Sequence, residues 1–280
     1  MNGLSDLQLD ALLAQDAPYG DLTTELLGIG TLPGRITFAG RDAMVLSASE
    51  EAAALLRRAG AVPADPTASG TSLAAGEVFL TAMGPAAALH RAWKVAQTLV
   101  EYASGIATRT RAIVDAARAV CPDVVVACTR KNFPGTKEIS ARSVLAGGAV
   151  MHRLGLSETL LVFPEHRAFL PDDPAEWLAA LKARAPEKKI VVEVATIADA
   201  VRFACAGADV LQLEKLAPAD TAAVVAATRD LAPAPVIAVA GGVTQANAAD
   251  YALAGAAVLV TSAPFFGRPC DVKVTLSRSE

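Results

Sequence analysis

Aromatic residues make up only 5% of this 280-residue chain, and cysteine occurs four times. Such a shortage of rings argues against an aromatic-heavy sandwich core. The abundant Ala, Val and Leu suit buried parallel strands under Ala-rich helices instead. The cysteines (Cys121, Cys128, Cys205, Cys270) are scattered without a C-x-x-C pair. A disulfide framework is therefore not expected, and reduced packing thiols are the simpler reading. No long Lys/Arg run exists and the net charge is −4, so nothing marks a nucleic-acid surface. An anionic ligand must be held by a local group of cations. No apolar run is long enough to span a bilayer, and the opening MNGLSDLQLD turns polar too early for a signal peptide. The expected address is the cytoplasm, with no membrane partner.

What is present is a rhythm. From about residue 120, short β-branched runs alternate with amphipathic, Ala-rich stretches. Strands are expected at 124–127, 159–163, 190–194, 209–213, 236–240 and 257–260. Helix-start chemistry separates them: Asp173-Pro174, Thr196 and Thr244 each open an Ala-rich segment. Repeated strand–helix units with short connections give a parallel sheet, and this many in series favours a closed, TIM-like α/β barrel. The first hundred residues read as α+β. Strands are expected in ITFAGRDAMVLSAS and GTSLAAGEVFLTAMG, a helix in EEAAALLRRAG, and a long helix from about Ala86 through Tyr102. The expected boundaries are 1–110 for the first domain and 111–270 for the barrel, with a strand at about 271–280 returning to the first.

Barrel enzymes carry their working groups at the carboxyl ends of the strands. Those positions hold Thr129-Arg130-Lys131, Phe163-Pro164-Glu165-His166, Glu193, Glu214-Lys215, Gly241-Gly242 and Thr261-Ser262-Ala263. Glu193 lies inside the apolar run IVVEV, where an unpaired carboxylate costs several kcal/mol, on the order of any buried charge. That marks it as functional. Bare N–H groups of Gly241 and Gly242 ahead of a helix suit a phosphate, although a glycine pair is also an ordinary turn. His152 alone reads as a hydrogen-bonded core histidine, and the neighbouring Arg153 lifts it toward a site. Glu165 and His166 read as structural.

With these residues in view, the chain resembles the quinolinate phosphoribosyltransferase family. The resemblance rests on GDLTT at 20–24, SGIAT at 104–108, TRKNFPG at 129–135, GGAVMHRLGLSE at 147–158, VEV at 192–194, AGADVLQLE at 206–214 and AGG at 240–242. It implies an N-terminal α/β sandwich, an irregular α/β barrel and a homodimer with a shared active site, leaving higher assembly open. It also implies phosphoribosyl transfer from phosphoribosyl pyrophosphate to a heterocyclic acid, with Mg2+, releasing pyrophosphate. Carried onto this sequence, Arg130, His152 and Arg153 would bind acceptor carboxylates and Lys131 the sugar pyrophosphate. Glu193 and Glu214 would flank the ribose and reach Mg2+ indirectly. Gly241, Gly242, Ser262 and Ala263 would hold phosphate.

The departures are on the acceptor side. Phe163 stands where the family has a substrate-contacting lysine. Lys94 stands where it has an arginine from the partner subunit, and Phe266 replaces a histidine. A fork-shaped cation has thus become a point charge and another is gone, so a dicarboxylate should bind less well. The same departures resemble a molybdenum-transport-associated pyrophosphorylase subgroup, although no metal-ligating cluster supports direct molybdenum chemistry. Three readings follow: a transferase with an acceptor other than quinolinate, a genuine quinolinate enzyme of NAD biosynthesis, or a non-catalytic phosphosugar-binding barrel. Retention of Lys131, Glu193 and Glu214 disfavours the last.

Overall fold

A computed structural model describes residues 3–279. Met1, Asn2 and Glu280, which the expected boundaries include, lie outside the described residues. The chain divides into two compact units. One comprises residues up to Arg111, Asn132–Gly148 and the chain from Pro264 on; the other comprises Ala112–Lys131 and Ala149–Ala263.

The first unit opens with α1 (Asp6–Asp16), started by a capping box in which the Ser5 hydroxyl and the Gln8 side chain each accept the other's backbone N–H. In α2 (Leu22–Leu26) the cap is Asp21, which accepts from the Thr23 N–H at 3.0 Å and the Thr24 hydroxyl at 2.5 Å. That is what GDLTT encodes locally. Then come β1 (Pro33–Gly40), β2 (Met44–Val45), α3 (Ser49–Ala59), β3 (Val62–Pro63), β4 (Ser72–Leu73) and β5 (Val78–Pro85). The C-terminal strand Val272–Arg278 returns to the edge of this antiparallel sheet, beside β1. Ile36, Phe38, Leu80, Leu55 and Leu56 fill the core, each at most 2% exposed.

Helix α4 (Ala86–Arg118) runs 33 residues, well past the expected end near Tyr102. Gly105 is the reason the sequence misleads. A Cβ there would stand 2.7 Å from the Arg268 carbonyl oxygen, so this glycine admits a neighbouring backbone and does not stop the helix. A ladder of Ala88, Ala92, Ala96 and Val100, at most 5% exposed, buries one face.

The second unit holds β6 (Val125–Cys128), and α5 (Lys137–Ala146) of the first unit follows it in the chain. Next come β7 (Val150–Met151), β8 (Leu160–Val162), α6 (Pro164–Arg167), α7 (Pro174–Arg184), β9 (Ile190–Val194), α8 (Ile197–Cys205), β10 (Val210–Glu214) and α9 (Pro218–Thr228). The series ends with β11 (Val236–Ala240), α10 (Ala248–Leu253) and β12 (Val258–Thr261). Strands β9 and β11 match the expected residues, and the others shift by a residue or so. Asp173 and Thr196 cap α7 and α8 as expected, accepting N–H groups at 3.0 Å.

Thr244 does not open its helix. Its N–H donates to Asn247 Oδ1 at 2.8 Å, while Asn247 Nδ2 donates to the Gly242 carbonyl at 3.0 Å. The amide side chain ties off the turn, and α10 starts three residues later than Thr244 suggests, at Ala248 and not Gln245.

All seven strands are parallel, in the order β7-β6-β12-β11-β10-β9-β8. Because the last strand pairs with the first, the order is cyclic along the chain, as in a barrel. It is not closed by hydrogen bonds all round: among the described residues no ladder joins β7 to β8. Both strands are very short, and the turn between them satisfies its backbone locally, the Leu154 N–H donating to the Glu158 carboxylate.

Candidate active site

Alternation along the strands decides what faces inward. Ile190, Val192, Val194, Leu211, Leu213, Val239 and Leu259, at most 1% exposed, occupy one parity and are sealed away. The other parity places Glu193 opposite Gln212, Glu214 opposite Ala240, and Ala240 opposite Val260. The inward neighbours Ala238, Ala240 and Val260 are small, which leaves a cavity of about 590 Å³ at the carboxyl ends of the strands.

Arg130, Lys131, His152, Arg153, Phe163, Glu193, Glu214, Gly241, Gly242, Ser262 and Ala263 all line that cavity. Lys94 does not. It belongs to the first unit and lines a cavity there of about 710 Å³, its ammonium 4.5 Å over the Trp93 ring and donating to Gln97 Oε1 at 3.2 Å. Phe266, also in the first unit, is 73% exposed.

Glu193 is half-buried. Gln212 Nε2 donates to its Oε2 at 2.7 Å, and Arg167 Nη2 donates to its backbone carbonyl at 3.2 Å. Burial pushes the Glu193 carboxyl above the usual glutamate range; Glu214 and Glu165 push it the same way, while Gln212 and Arg167 oppose. The Glu214 carboxylate has Lys215 Nζ at 3.9 Å. Two carboxylates so placed suit the neighbourhood of a carbon that becomes positive during reaction.

The cations occupy the other wall. Arg153 is only 7% exposed, yet no carboxylate pairs with it among the described residues. Burial and the nearby Arg130 both depress its affinity for a proton. Its guanidinium lies 5.5 Å over the Phe163 ring, which stacks on His166 at 5.8 Å. Phe163 follows β8 and Arg153 follows β7, so this contact bridges the strands that lack a ladder. His166 Nδ1 accepts the Phe163 N–H at 3.0 Å, which keeps that ring in a supporting role. Burial, reinforced by Arg153 and opposed by Glu158, lowers the His152 pKa below the usual histidine value. His152 is therefore neutral at neutral pH, and the anion-binding charge rests on the arginines.

Gly241 and Gly242 both hold positive φ, +84° and +93°, and their N–H groups donate to nothing among the described residues. The helix after them has six residues and begins beyond the turn. The cradle is therefore a nest of backbone N–H groups, not the helix end expected from sequence. Thr261 fastens the adjoining loop, its hydroxyl donating to the Val243 carbonyl at 2.7 Å and accepting the Ala263 N–H at 3.1 Å. The Ala263 N–H is thus engaged within the chain, although the residue lines the cavity.

Sequence reasoning passed over Gln212 and Arg167. Gln212 is 4% exposed and interrupts the apolar run VLQL just as Glu193 interrupts IVVEV, so the same argument would have found it. Arg167 carries no such signal, since its use depends on where α6 places it beside β9.

The profile of the quinolinate phosphoribosyl transferase N-terminal domain matches residues 21–104, and that of the C-terminal domain matches residues 106–275. A putative pyrophosphorylase ModD of Rhodobacter capsulatus is 51% identical over 249 residues, covering 88% of this chain and 95% of its own. A probable nicotinate-nucleotide pyrophosphorylase [carboxylating] of Archaeoglobus fulgidus is 32% identical, over 84% of this chain and 89% of its own. The crystal structure of NadC from Streptococcus pyogenes superposes with a TM-score of 0.89 at 21% identity, covering 100% of both chains, a likeness of fold.

Proposed function

Starting from the fact that the chain belongs to the quinolinate phosphoribosyl transferase family, we propose that it transfers phosphoribose from phosphoribosyl pyrophosphate to a ring nitrogen of a heterocyclic acid, releasing pyrophosphate. The observation that carries this is one cavity joining the Glu193–Glu214 pair, the cations Arg130, Lys131 and Arg153, and the glycine nest. A barrel that only held a phosphosugar would need the nest and a cation, but not two crowded carboxylates.

Each group has a task in this reading. The nest and Lys131 hold the two phosphate ends of the donor. As the bond from the sugar carbon to pyrophosphate breaks, that carbon gains positive charge, and Glu193 and Glu214 stabilise it. Arg153 and Arg130 take the acceptor's carboxylate and aim its ring nitrogen at the sugar, converting an encounter into a positioned attack. The Phe163 ring offers the acceptor a flat apolar surface.

Mg2+, when bound, would offset the negative charge building on the leaving pyrophosphate. Among the described residues no group of three or more His, Cys, Asp or Glu gathers around a metal. Glu193 and Glu214, the carboxylates lining this cavity, would reach such an ion indirectly, through water and the substrate's oxygens, as suits an ion that gives up its water reluctantly.

The acceptor we propose differs from quinolinate, because Phe163 supplies no charge where a second carboxylate would need one. The nearer identity to a putative pyrophosphorylase ModD, 51% against 32%, supports that reading over a role in NAD biosynthesis, and a setting in molybdenum transport goes with it. We further propose a homodimer in which Lys94 serves the partner subunit's cavity, and a cytoplasmic address. Among the described residues no helix is long and apolar enough to cross a membrane.

The test is a screen of pyridine and purine acids for pyrophosphate release from phosphoribosyl pyrophosphate with Mg2+. Release with an acceptor other than quinolinate supports the proposal. Tight donor binding with no release across the panel favours the binding-protein reading, and efficient release with quinolinate alone favours the NAD enzyme.

A further inference from the structure

Lys215 and Ala48 are the non-glycine residues held at positive φ among the described residues, Lys215 at +57°. A side chain in that region strains the backbone by roughly 1 kcal/mol, and glycine or asparagine is the usual occupant. Lys215 follows Glu214 at the end of β10, and its N–H donates to the Ala240 carbonyl at 2.8 Å, pinning the turn to β11. That handedness lays its stem across Gly241. A Cβ on Gly241 would stand 2.6 Å from Lys215 Cγ and 2.7 Å from Glu214 Oε1. The glycine therefore serves two neighbours, freeing its own N–H for a ligand and admitting the lysine stem alongside it.

The ammonium has little else to hold it. Its nearest carboxylate oxygen is Glu214 Oε1 at 3.9 Å, the side chain is 77% exposed, and the residue lines the 590 Å³ cavity. A lysine serving only to hydrate the surface needs neither a strained backbone nor a bare glycine beneath it. Strain retained at the rim of a cavity, beside two free N–H groups, has the form of a ligand clamp.

We propose that Lys215 is a substrate-binding residue. Its ammonium closes over the 5-phosphate of the phosphoribosyl substrate, whose other side is cradled by the N–H groups of Gly241 and Gly242. This rests on the transferase reading and adds to it a cation on the glycine turn, apart from Lys131 and the arginines.

The test is calorimetric titration of the full chain with ribose 5-phosphate and, separately, with pyrophosphate, in the presence of Mg2+. Lys215→Asn removes the charge but tolerates the left-handed backbone, so the fold should be retained and the melting temperature unchanged or raised. Its dissociation constant for ribose 5-phosphate should rise about tenfold or more, the scale of a lost charge-assisted contact, while that for pyrophosphate stays within about twofold. Lys215→Gly should behave alike, and Lys215→Arg should recover most of the binding. Unchanged binding of ribose 5-phosphate by Lys215→Asn overturns the proposal, as does a loss that falls on pyrophosphate instead. Should the unaltered protein bind neither ribose 5-phosphate nor phosphoribosyl pyrophosphate, the transferase reading fails and takes the Lys215 assignment with it. An unaltered protein that binds beside an indifferent Lys215→Asn removes the Lys215 assignment alone.

Discussion

Replacing Glu193 by Gln changes charge with almost no change of shape. The variant keeps an oxygen to accept from Gln212 Nε2, so the 2.7 Å contact survives. What it loses is a negative charge beside the reacting sugar. Across about 5 Å, at an effective dielectric of about 20, opposite unit charges attract by about 3 kcal/mol. That corresponds to a fall in kcat of roughly 10²- to 10³-fold. Stability should move the other way. The carboxyl is raised by burial and by Glu214 and Glu165, so its contribution to folding is present below the ordinary glutamate range. That contribution is lost as pH climbs through the raised folded-state value. Wherever the carboxyl is ionised, the native protein bears a charge that burial and the neighbouring carboxylates disfavour, and Glu193→Gln relieves it. Steady-state pyrophosphate release with the acceptor found by screening, together with thermal melts at pH 5 and pH 7.5, reads both sides. The variant's advantage in melting temperature should be larger at the higher pH. Turnover within about threefold of the original protein, or a melting temperature several degrees lower at neutral pH, would refute the reasoning.

Other perturbations probe the remaining parts. Gln212→Leu deletes the donor that favours ionised Glu193, so the acid limb of the kcat profile should move to higher pH; an unmoved limb means Gln212 does not set that carboxylate. Gly241→Ala places a methyl 2.6 Å from Lys215 Cγ at a φ of +84°, which should cost about 1–3 kcal/mol and weaken ribose 5-phosphate binding; calorimetry showing native affinity contradicts the nest. Phe163→Lys should tighten quinolinate binding about tenfold, and no gain would mean that position does not face the acceptor. Gly105→Ala must displace the Arg268 backbone 2.7 Å away, so a melting temperature within a degree of the original would show that the approach there is looser than described.

Much of the barrel was legible because its strands are buried on both faces and so read as unbroken β-branched runs. Strands β9 and β11 were placed to the residue. Strand β7 was not, since two residues inside GGAVMHR carry no periodicity. The length of α4 was hidden because Gly105 looks like punctuation, and only the tertiary neighbour at Arg268 explains it. Around the cavity, Glu193 announced itself by charge in an apolar setting. The handedness of Lys215 left no trace, because backbone strain is set by the turn between β10 and β11 and not by residue type. Thr244 misled for a related reason: whether a hydroxyl caps a helix depends on a competitor, here Asn247, being three residues away.

The gap between β7 and β8 has a consequence for how such an enzyme changes over time. The carboxylates and the glycine turn sit on strands laced to neighbours on both sides, while Arg153 and Phe163 stand on the two banks of the one unlaced join. A swap on either bank disturbs no ladder. Recognition of the incoming ring is thus free to drift while the donor's half of the pocket stays as it was.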